Sequence, residues 1–360
     1  MPDAPDDRPT IVIAIDGLRP AALGAYGQTA YETPAFDTLA ADAVTYDWCY
    51  APTPHPFDLY SRLAERLEGF TLVTDDQRHV APLLDRAAKV HTIDHLEPAV
   101  SGAPTAMSIV WAKIAEQTVE WASAEESSLL WVHTRGLYGP WDAPASLYES
   151  LFDEDDPPCD EGSDPPDHVL AGDELHEAAF LASCRYAGQV MVLDSCLAAW
   201  FDLVEGLMEG IDYRLIVSGL RGLPLGEHGR VGGTDERLYS EQQQAPLFVC
   251  EGDPATRFTR DASPVSLETA LLSRLVGEAN TRPAVSMRSN EAEALVTADR
   301  LLRQPLGDSD DAELYVKPDD RWEQNDIASL EEETVEQLQG VLARGGPAGE
   351  SGVAADGQRG

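Results

Sequence analysis

Thr10–Ile15 (TIVIAI) is a run of β-branched and apolar residues that ends abruptly in Asp16-Gly17. Such a run, closed by an acid and a glycine, reads as a central parallel strand stopping at a functional edge. A strand buried on both faces needs helices on both sides of its sheet, so the rest of the chain must alternate strands with helices. The pattern continues that way. In AFDTLAADAV, Phe36, Leu39, Ala40 and Val44 recur at helical spacing, with Pro34 at the start. Strands are expected at Phe70–Thr74, Val90–Ile93, Ser128–His133, Tyr213–Ser218 and Pro246–Cys250. Helices are expected over about 106–123 and 178–208, the second with Val190, Leu193, Leu197, Trp200, Phe201 and Val204 on its buried face.

The fold class expected is α/β: an α/β/α sandwich around a mixed, mostly parallel central sheet over residues 10–280. A small C-terminal α+β subdomain is expected over 281–344, where charged helical and short-strand segments take over. Residues 1–9 read as a flexible N-terminus and 345–360 as a disordered tail. Phe152 to Glu177 carries DEDDPP, CDEGSDPPD and DELHE, so it is expected to be a long solvated loop. No internal repeat is visible.

Charge narrows the partners. Lys and Arg total 25 against 64 Asp and Glu, a net charge of −39. Phosphate backbones and anionic lipid surfaces repel such a chain, which argues against nucleic acid and membrane as partners. A small anionic ligand would need a local positive pocket or a metal, while a basic protein would be attracted. The five cysteines, Cys49, Cys159, Cys184, Cys196 and Cys250, form no CxxC pair and read as reduced thiols. With no signal-peptide pattern and no long apolar span, the expected location is cytoplasmic. The eight histidines show no HxH or HExxH spacing, so no zinc site is expected.

A series of landmarks then resembles one family in order. Asp16-Gly17-Leu18-Arg19-Pro20, LGAYG (Leu23–Gly27) and TPAFDTLAADAVTYDWCYAP (Thr33–Pro52) look like the opening of a sulfatase of the alkaline phosphatase superfamily. LWVHTRGLYGPWDAP (Leu130–Pro144) is similar to its His-x-x-x-Pro-His-x-Pro-Tyr segment. RYAGQVMVLDSCLAAWFDLV (Arg185–Val204) resembles its helix with Tyr-x-x-x-Val-x-x-x-Asp. RLIVSGLRGLPLGEHG (Arg214–Gly229), LYSEQQQAPLFV (Leu238–Val249) and ELYVKPDDRWEQNDIA (Glu313–Ala328) match its later strands and closing motif.

The resemblance implies sulfuric ester hydrolysis with a formylglycine nucleophile, or a Thr or Ser in phosphate-cleaving relatives. It also implies calcium or magnesium held by paired acidic residues. At the matched positions this chain departs from the family. Pro54 or Pro56 stands at the nucleophile, and proline has no side-chain heteroatom with which to attack. Asp16 remains as a metal ligand, but Gly17 follows it and Leu220-Arg221 replaces the later pair; neither of those two can coordinate a cation. Tyr138 takes the place of the second histidine of the His133 segment, and Arg230 to Asp235 contains no lysine.

Two readings of the site follow. In the first, the sulfatase-like scaffold has lost its chemistry and serves a binding or regulatory role. Asp16, Arg19, Tyr138, Leu220, Arg221, Glu227 and His228 line the inherited pocket, Arg221 pairs with Asp16 in place of the cation, and no cofactor is needed. Glu227 and His228 shape their loop, and Arg230 is expected to be an exposed loop residue. In the second, a hydrolase uses Thr53 or Ser61 as nucleophile, His55 as base and calcium or magnesium; the plainer account makes Thr53 and Ser61 ordinary loop residues. A third possibility is an acidic interaction module, whose Asp153–Glu177 loop docks a basic protein.

Overall fold

The computed structural model describes residues 8–94, 103–124, 127–158, 162–252, 255, 257–278, 284–307 and 310–344. The first half contributes strands β1 (Thr10–Ile15), β2 (Val44–Tyr46), β3 (Cys49–Tyr50), β4 (Thr71–Thr74), β5 (Lys89–Thr92), β6 (Leu129–Thr134) and β7 (Asp167–Val169). The second contributes β8 (Arg214–Gly219), β9 (Arg230–Gly232), β10 (Leu247–Cys250), β11 (Thr259–Asp261) and β12 (Val265–Ser266). A separate antiparallel sheet is built from β13 (Val285–Arg288), β14 (Ala292–Val296), β15 (Arg300–Pro305) and β16 (Glu313–Val316). The helices are α1 (Pro34–Asp42), α2 (Pro56–Ala64), α3 (Ala81–Leu84), α4 (Ala106–Ala124), α5 (Gly172–Leu207), α6 (Ser240–Gln243), α7 (Leu267–Leu275) and α8 (Glu332–Ala343).

The main sheet has 8 strands in the order β11-β2-β10-β8-β1-β6-β4-β5, and β10 alone runs against the rest. β1 lies at its centre, bonded in parallel to β6 and β8, and all its residues are buried. Side chains alternate across a strand. Ile11, Ile13 and Ile15 therefore enter one apolar core with Phe36 of α1, Trp111 of α4 and Trp200 of α5. Val12 and Ala14 enter a second core with Tyr60 of α2, Leu83 of α3 and Leu271 of α7. The result is an α/β/α sandwich around a mixed, mostly parallel sheet, with a small antiparallel C-terminal sheet beside it. A third core, including Tyr50, Leu238, Met287, Leu301 and Tyr315, joins that small sheet to the rest.

Three expectations are corrected. Phe152 to Glu177 is not one long loop. Asp167–Val169 pairs antiparallel with β9, and α5 already begins at Gly172. Asp173 and Glu174 favour the positive end of that helix, and Leu175, Ala178 and Ala179 pack against the core. Arg230 opens strand β9 and pairs with Asp167, so it is a half-buried ladder residue. Ser61 lies in α2 and not in a loop, because Pro56 at the first turn starts a helix there. The expectations for 1–7, Cys159 and the 345–360 tail lie outside the described residues.

Candidate functional site

Four parallel strands bring polar groups to the carboxyl-end edge of the main sheet, where ligand sites of open α/β sheets form. Asp16 follows β1, Asp75 and Asp76 follow β4, Arg135 and Tyr138 follow β6, and Arg221 follows β8. Asp16 is fully buried and Arg221 is 5% exposed. Arg221 grips Asp16 with two parallel bonds, Nε to Oδ1 at 2.9 Å and Nη2 to Oδ2 at 3.0 Å. Its remaining nitrogen donates to the Pro54 carbonyl at 2.9 Å and to Thr234 Oγ1 at 2.7 Å. The Tyr138 ring lies 4.2 Å from the guanidinium carbon, and the Tyr138 hydroxyl donates to the Gly233 carbonyl at 2.8 Å. Burial alone would make Arg221 easier to deprotonate, but Asp16 outweighs it and the net pKa shift is upward.

The landmarks that carried the resemblance hold this corner in place. Tyr186 donates from its hydroxyl to the Gly17 carbonyl at 2.7 Å and accepts from the Arg19 amide at 3.0 Å. Asp194, on the same helix, accepts from the amides of Ala35 and Phe36, satisfying the first turn of α1. Gly17 has φ +80°, and a Cβ there would stand 2.9 Å from Leu137 Cβ and 3.0 Å from Tyr138 Cδ2. Gly17→Ala is therefore expected to lose about 1–3 kcal/mol, from left-handed backbone strain and a displaced Tyr138. Urea unfolding measures it; an unchanged midpoint would mean the Tyr138 ring is not held there.

A second polar group lies beside the pair. His79 Nδ1 is 3.7 Å from Asp16 Oδ2 and 3.5 Å from Asp76 Oδ2, and it makes no hydrogen bond among the described residues. His133 is fully buried; its Nδ1 meets the Tyr60 hydroxyl at 2.9 Å, and its Nε2 has no partner among the described residues. Burial lowers the His133 pKa to about 4, so the ring is neutral near neutrality. Asp75 accepts from the Arg135 amide at 2.8 Å, and burial raises its pKa to about 6. Sequence reasoning missed Asp75, Asp76 and His79. The signal was present: TLVT followed by two acids repeats the strand-then-acid pattern that singled out Asp16.

The other sequence-predicted residues are dispersed. Leu220 is buried in the second apolar core. Arg19 pairs with Glu227 and donates to the Leu223 carbonyl at 3.3 Å, facing a separate cavity. His228 bonds Glu241 through Nδ1 at 2.8 Å and stacks on Tyr239 at 3.6 Å between ring centroids. His55 Nε2 is 2.8 Å from Glu236. Thr53 Oγ1 is 3.4 Å from Asp58, and Ser61 donates to the Phe57 carbonyl one turn back in α2. Thr53 and Ser61 line a surface hollow with Arg62, Arg288 and Asn290.

The residues do not fit the divalent cation that the resemblance implies. Both Asp16 oxygens accept from a fixed positive charge, which would repel a dication. Gly17 offers no ligand, and Leu220 points into apolar packing. Among the described residues no group of three or more His, Cys, Asp or Glu could hold a metal ion. What the arrangement can do is hold itself: a buried carboxylate, a bidentate guanidinium and an aromatic ring form a closed ion-pair unit.

No protein-family profile matches the sequence, and no curated protein matches it. Solved structures do share its fold. The phosphonate monoester hydrolase of Agrobacterium radiobacter is 14% identical, with a TM-score of 0.69 over 94% of this chain and 96% of that one. A 2-O GAG sulfatase is 13% identical, with a TM-score of 0.66 over 94% of this chain and 92% of that one.

Proposed function

We propose that this sulfatase-fold chain has exchanged ester hydrolysis for a binding or regulatory role. One observation carries the reading: Arg221 binds both oxygens of Asp16 and also the Pro54 carbonyl. The segment where the resemblance places the nucleophile is thus fastened to the residue standing where a metal ligand would be. Ester cleavage of this kind needs a nucleophile and a centre of positive charge open to the substrate oxygens. Here the charge is spent inside the protein. The hydrolase reading needs the His55 ring on a hydroxyl, but Thr53 Oγ1 contacts Asp58, Ser61 donates to the Phe57 carbonyl and His55 Nε2 meets Glu236. The role we propose places the protein in the cytoplasm, with a small anionic ligand or a basic protein as partner. No helix among the described residues is long and apolar enough to cross a membrane.

The test is hydrolysis of aryl sulfates, aryl phosphates and phosphonate monoesters by the purified protein with calcium, magnesium or manganese. No turnover above the uncatalysed rate is expected, and Thr53→Ala and Ser61→Ala should be indistinguishable from the parent. Metal-dependent turnover that either substitution abolishes would overturn the proposal.

A further inference from the structure

The closing motif, ELYVKPDDRWEQNDIA, builds a loop that the Asp16–Arg221 pair does not use. Glu323 of that loop, 2% exposed, pairs with Lys317 and accepts from the amide and hydroxyl of Ser240 at 3.1 and 2.6 Å. Its φ of +49° is a strained conformation for a residue with a side chain, so bonds must hold it there. His228, from the LGEHG loop, adds one of them. Its Nε2 lies 3.1 Å from the Glu323 carbonyl, its Nδ1 lies 2.8 Å from Glu241 Oε1 in α6, and its ring stacks on Tyr239. The Gln324 side-chain amide nitrogen stands 3.4 Å from the same Nε2.

The number of protons decides what this arrangement can do. A carbonyl and a carboxylate accept and do not donate, while a neutral imidazole carries one N–H. Both bonds of His228 therefore form only when the ring, or the ring together with Glu241, holds an extra proton. The surrounding charges favour that proton. Glu227, beside His228 in its loop, has Arg19, and Glu323 has Lys317. Arg237 and Arg303, both against the Tyr239 ring, have Asp235 and Glu313. Glu241, 3% exposed, pairs with His228 and meets no other cation among the described residues. Burial alone would ease the proton off His228, but the Glu241 carboxylate outweighs it and the net pKa shift is upward from 6.5. Burial pushes the Glu241 pKa up as well, so the pair keeps its proton.

We propose that His228 is a proton-controlled tie on the closing loop. The protonated ring bonds the Glu323 carbonyl and holds the loop to α6; the neutral ring keeps Glu241, accepts from the Gln324 amide and releases that carbonyl. The proton leaves from Nε2, because a buried carboxylate is a stronger acceptor than a carbonyl and retains the Nδ1 hydrogen. The folded pKa lies above the ordinary one, so the tie's contribution is complete below about pH 6.5 and is lost as pH rises through the folded value. Trp322, one residue before Glu323, forms part of the wall of a cavity of about 500 Å³ with Arg19 and Glu227. The same proton thus sets how firmly that wall is held. The tie lies outside the Asp16–Arg221 corner and operates whether or not that corner turns over an ester.

Two measurements on the full chain test the tie. Long-range proton–nitrogen NMR of the imidazoles, with His228 identified by the signal missing in His228→Gln, should show both its nitrogens protonated at about pH 7, where an ordinary imidazole is mostly neutral. On raising the pH, Nε2 should lose its hydrogen while Nδ1 keeps it. Amide exchange of residues 317–326, scaled to the intrinsic rate at each pH, should rise about tenfold or more across the same titration, because a charged hydrogen bond is lost. His228→Gln should exchange at the faster rate throughout, and Glu241→Gln should move the titration to lower pH. His91→Gln, on the edge strand β5, should leave the parent's profile unchanged. A His228 ring already neutral at that pH, or exchange in the parent that does not follow the ring's titration, would overturn the proposal. So would the parent's pH dependence persisting in His228→Gln, its loss in His91→Gln, or an unmoved titration in Glu241→Gln.

Discussion

Replacing Arg221 with Met is expected to cost about 3–5 kcal/mol of unfolding free energy, the range for breaking a buried ion pair from one side. Asp16 is fully buried, and losing the guanidinium leaves its carboxylate, among the described residues, with the Gly17 amide at 3.0 Å and His79 Nδ1 at 3.7 Å. The Pro54 carbonyl and Thr234 hydroxyl lose a donor at the same time. Asp16→Asn alone should also destabilise, since a buried guanidinium then lacks its counter-charge. Combining the two should recover part of the loss, because neither partner is then left charged and alone. Urea unfolding of the four proteins gives the coupling, expected to exceed about 1 kcal/mol for groups in direct contact. Additive losses would show the residues to be independent, and the account of Arg221 as the counter-charge of this corner would fall with them.

A second large effect concerns pH. Burial holds the His133 pKa at about 4, below the 6.5 usual for a solvated imidazole. The unfolded chain therefore binds this proton more readily than the folded one across that window. The stability the neutral ring contributes is complete above about pH 6.5 and is lost as pH falls toward 4. Each tenfold change in proton affinity is about 1.4 kcal/mol, so the contribution is on the order of 3 kcal/mol. Asp75 acts in the opposite sense. Burial raises its pKa to about 6, so its folded form prefers the proton, and its contribution is lost as pH rises from about 4 through 6. The two offset in the parent, whose stability should be nearly flat with respect to these groups over that window. His133→Phe should expose the Asp75 dependence, with stability falling as pH rises; Asp75→Asn should expose that of His133, with stability rising. Identical pH profiles for the parent and both variants, from urea unfolding across the range, would refute the assignment.

The core was legible in the sequence to different depths. Strand β1 and the helix α5 stand out because burial imposes a local pattern: unbroken apolar residues where both faces are covered, and a 3.6-residue period where one face is. Their residues need no knowledge of distant partners to be recognised. The strand in β7 and the early start of α5 were hidden because their stretch is acidic and proline-rich. What orders it is pairing with β9, some sixty residues on, and the register is Asp167 with Gly232 and Val169 with Arg230. Composition reports solvation, and pairing between distant segments can override it.

The site divides in the same way. From the amino-acid sequence alone came the α/β class, the corner residue Asp16, the absence of a heteroatom at Pro54 and Pro56, and Leu220-Arg221 where ligands were expected. These are properties of residue type and order. Only the tertiary structure decided how the residues are grouped. It fixed the two-bond geometry between Arg221 and Asp16, set the Tyr138 ring against that guanidinium, turned Arg19 with Glu227 to another cavity, committed His228 to Glu241, and brought Asp75, Asp76 and His79 to the edge. The physical reason is that a charge finds its partner through contacts between segments far apart in the chain: 205 residues separate Asp16 from Arg221, and 208 separate Arg19 from Glu227. Which cation ends beside which carboxylate is set by how strands stack and where glycines let rings approach, and no local pattern records that.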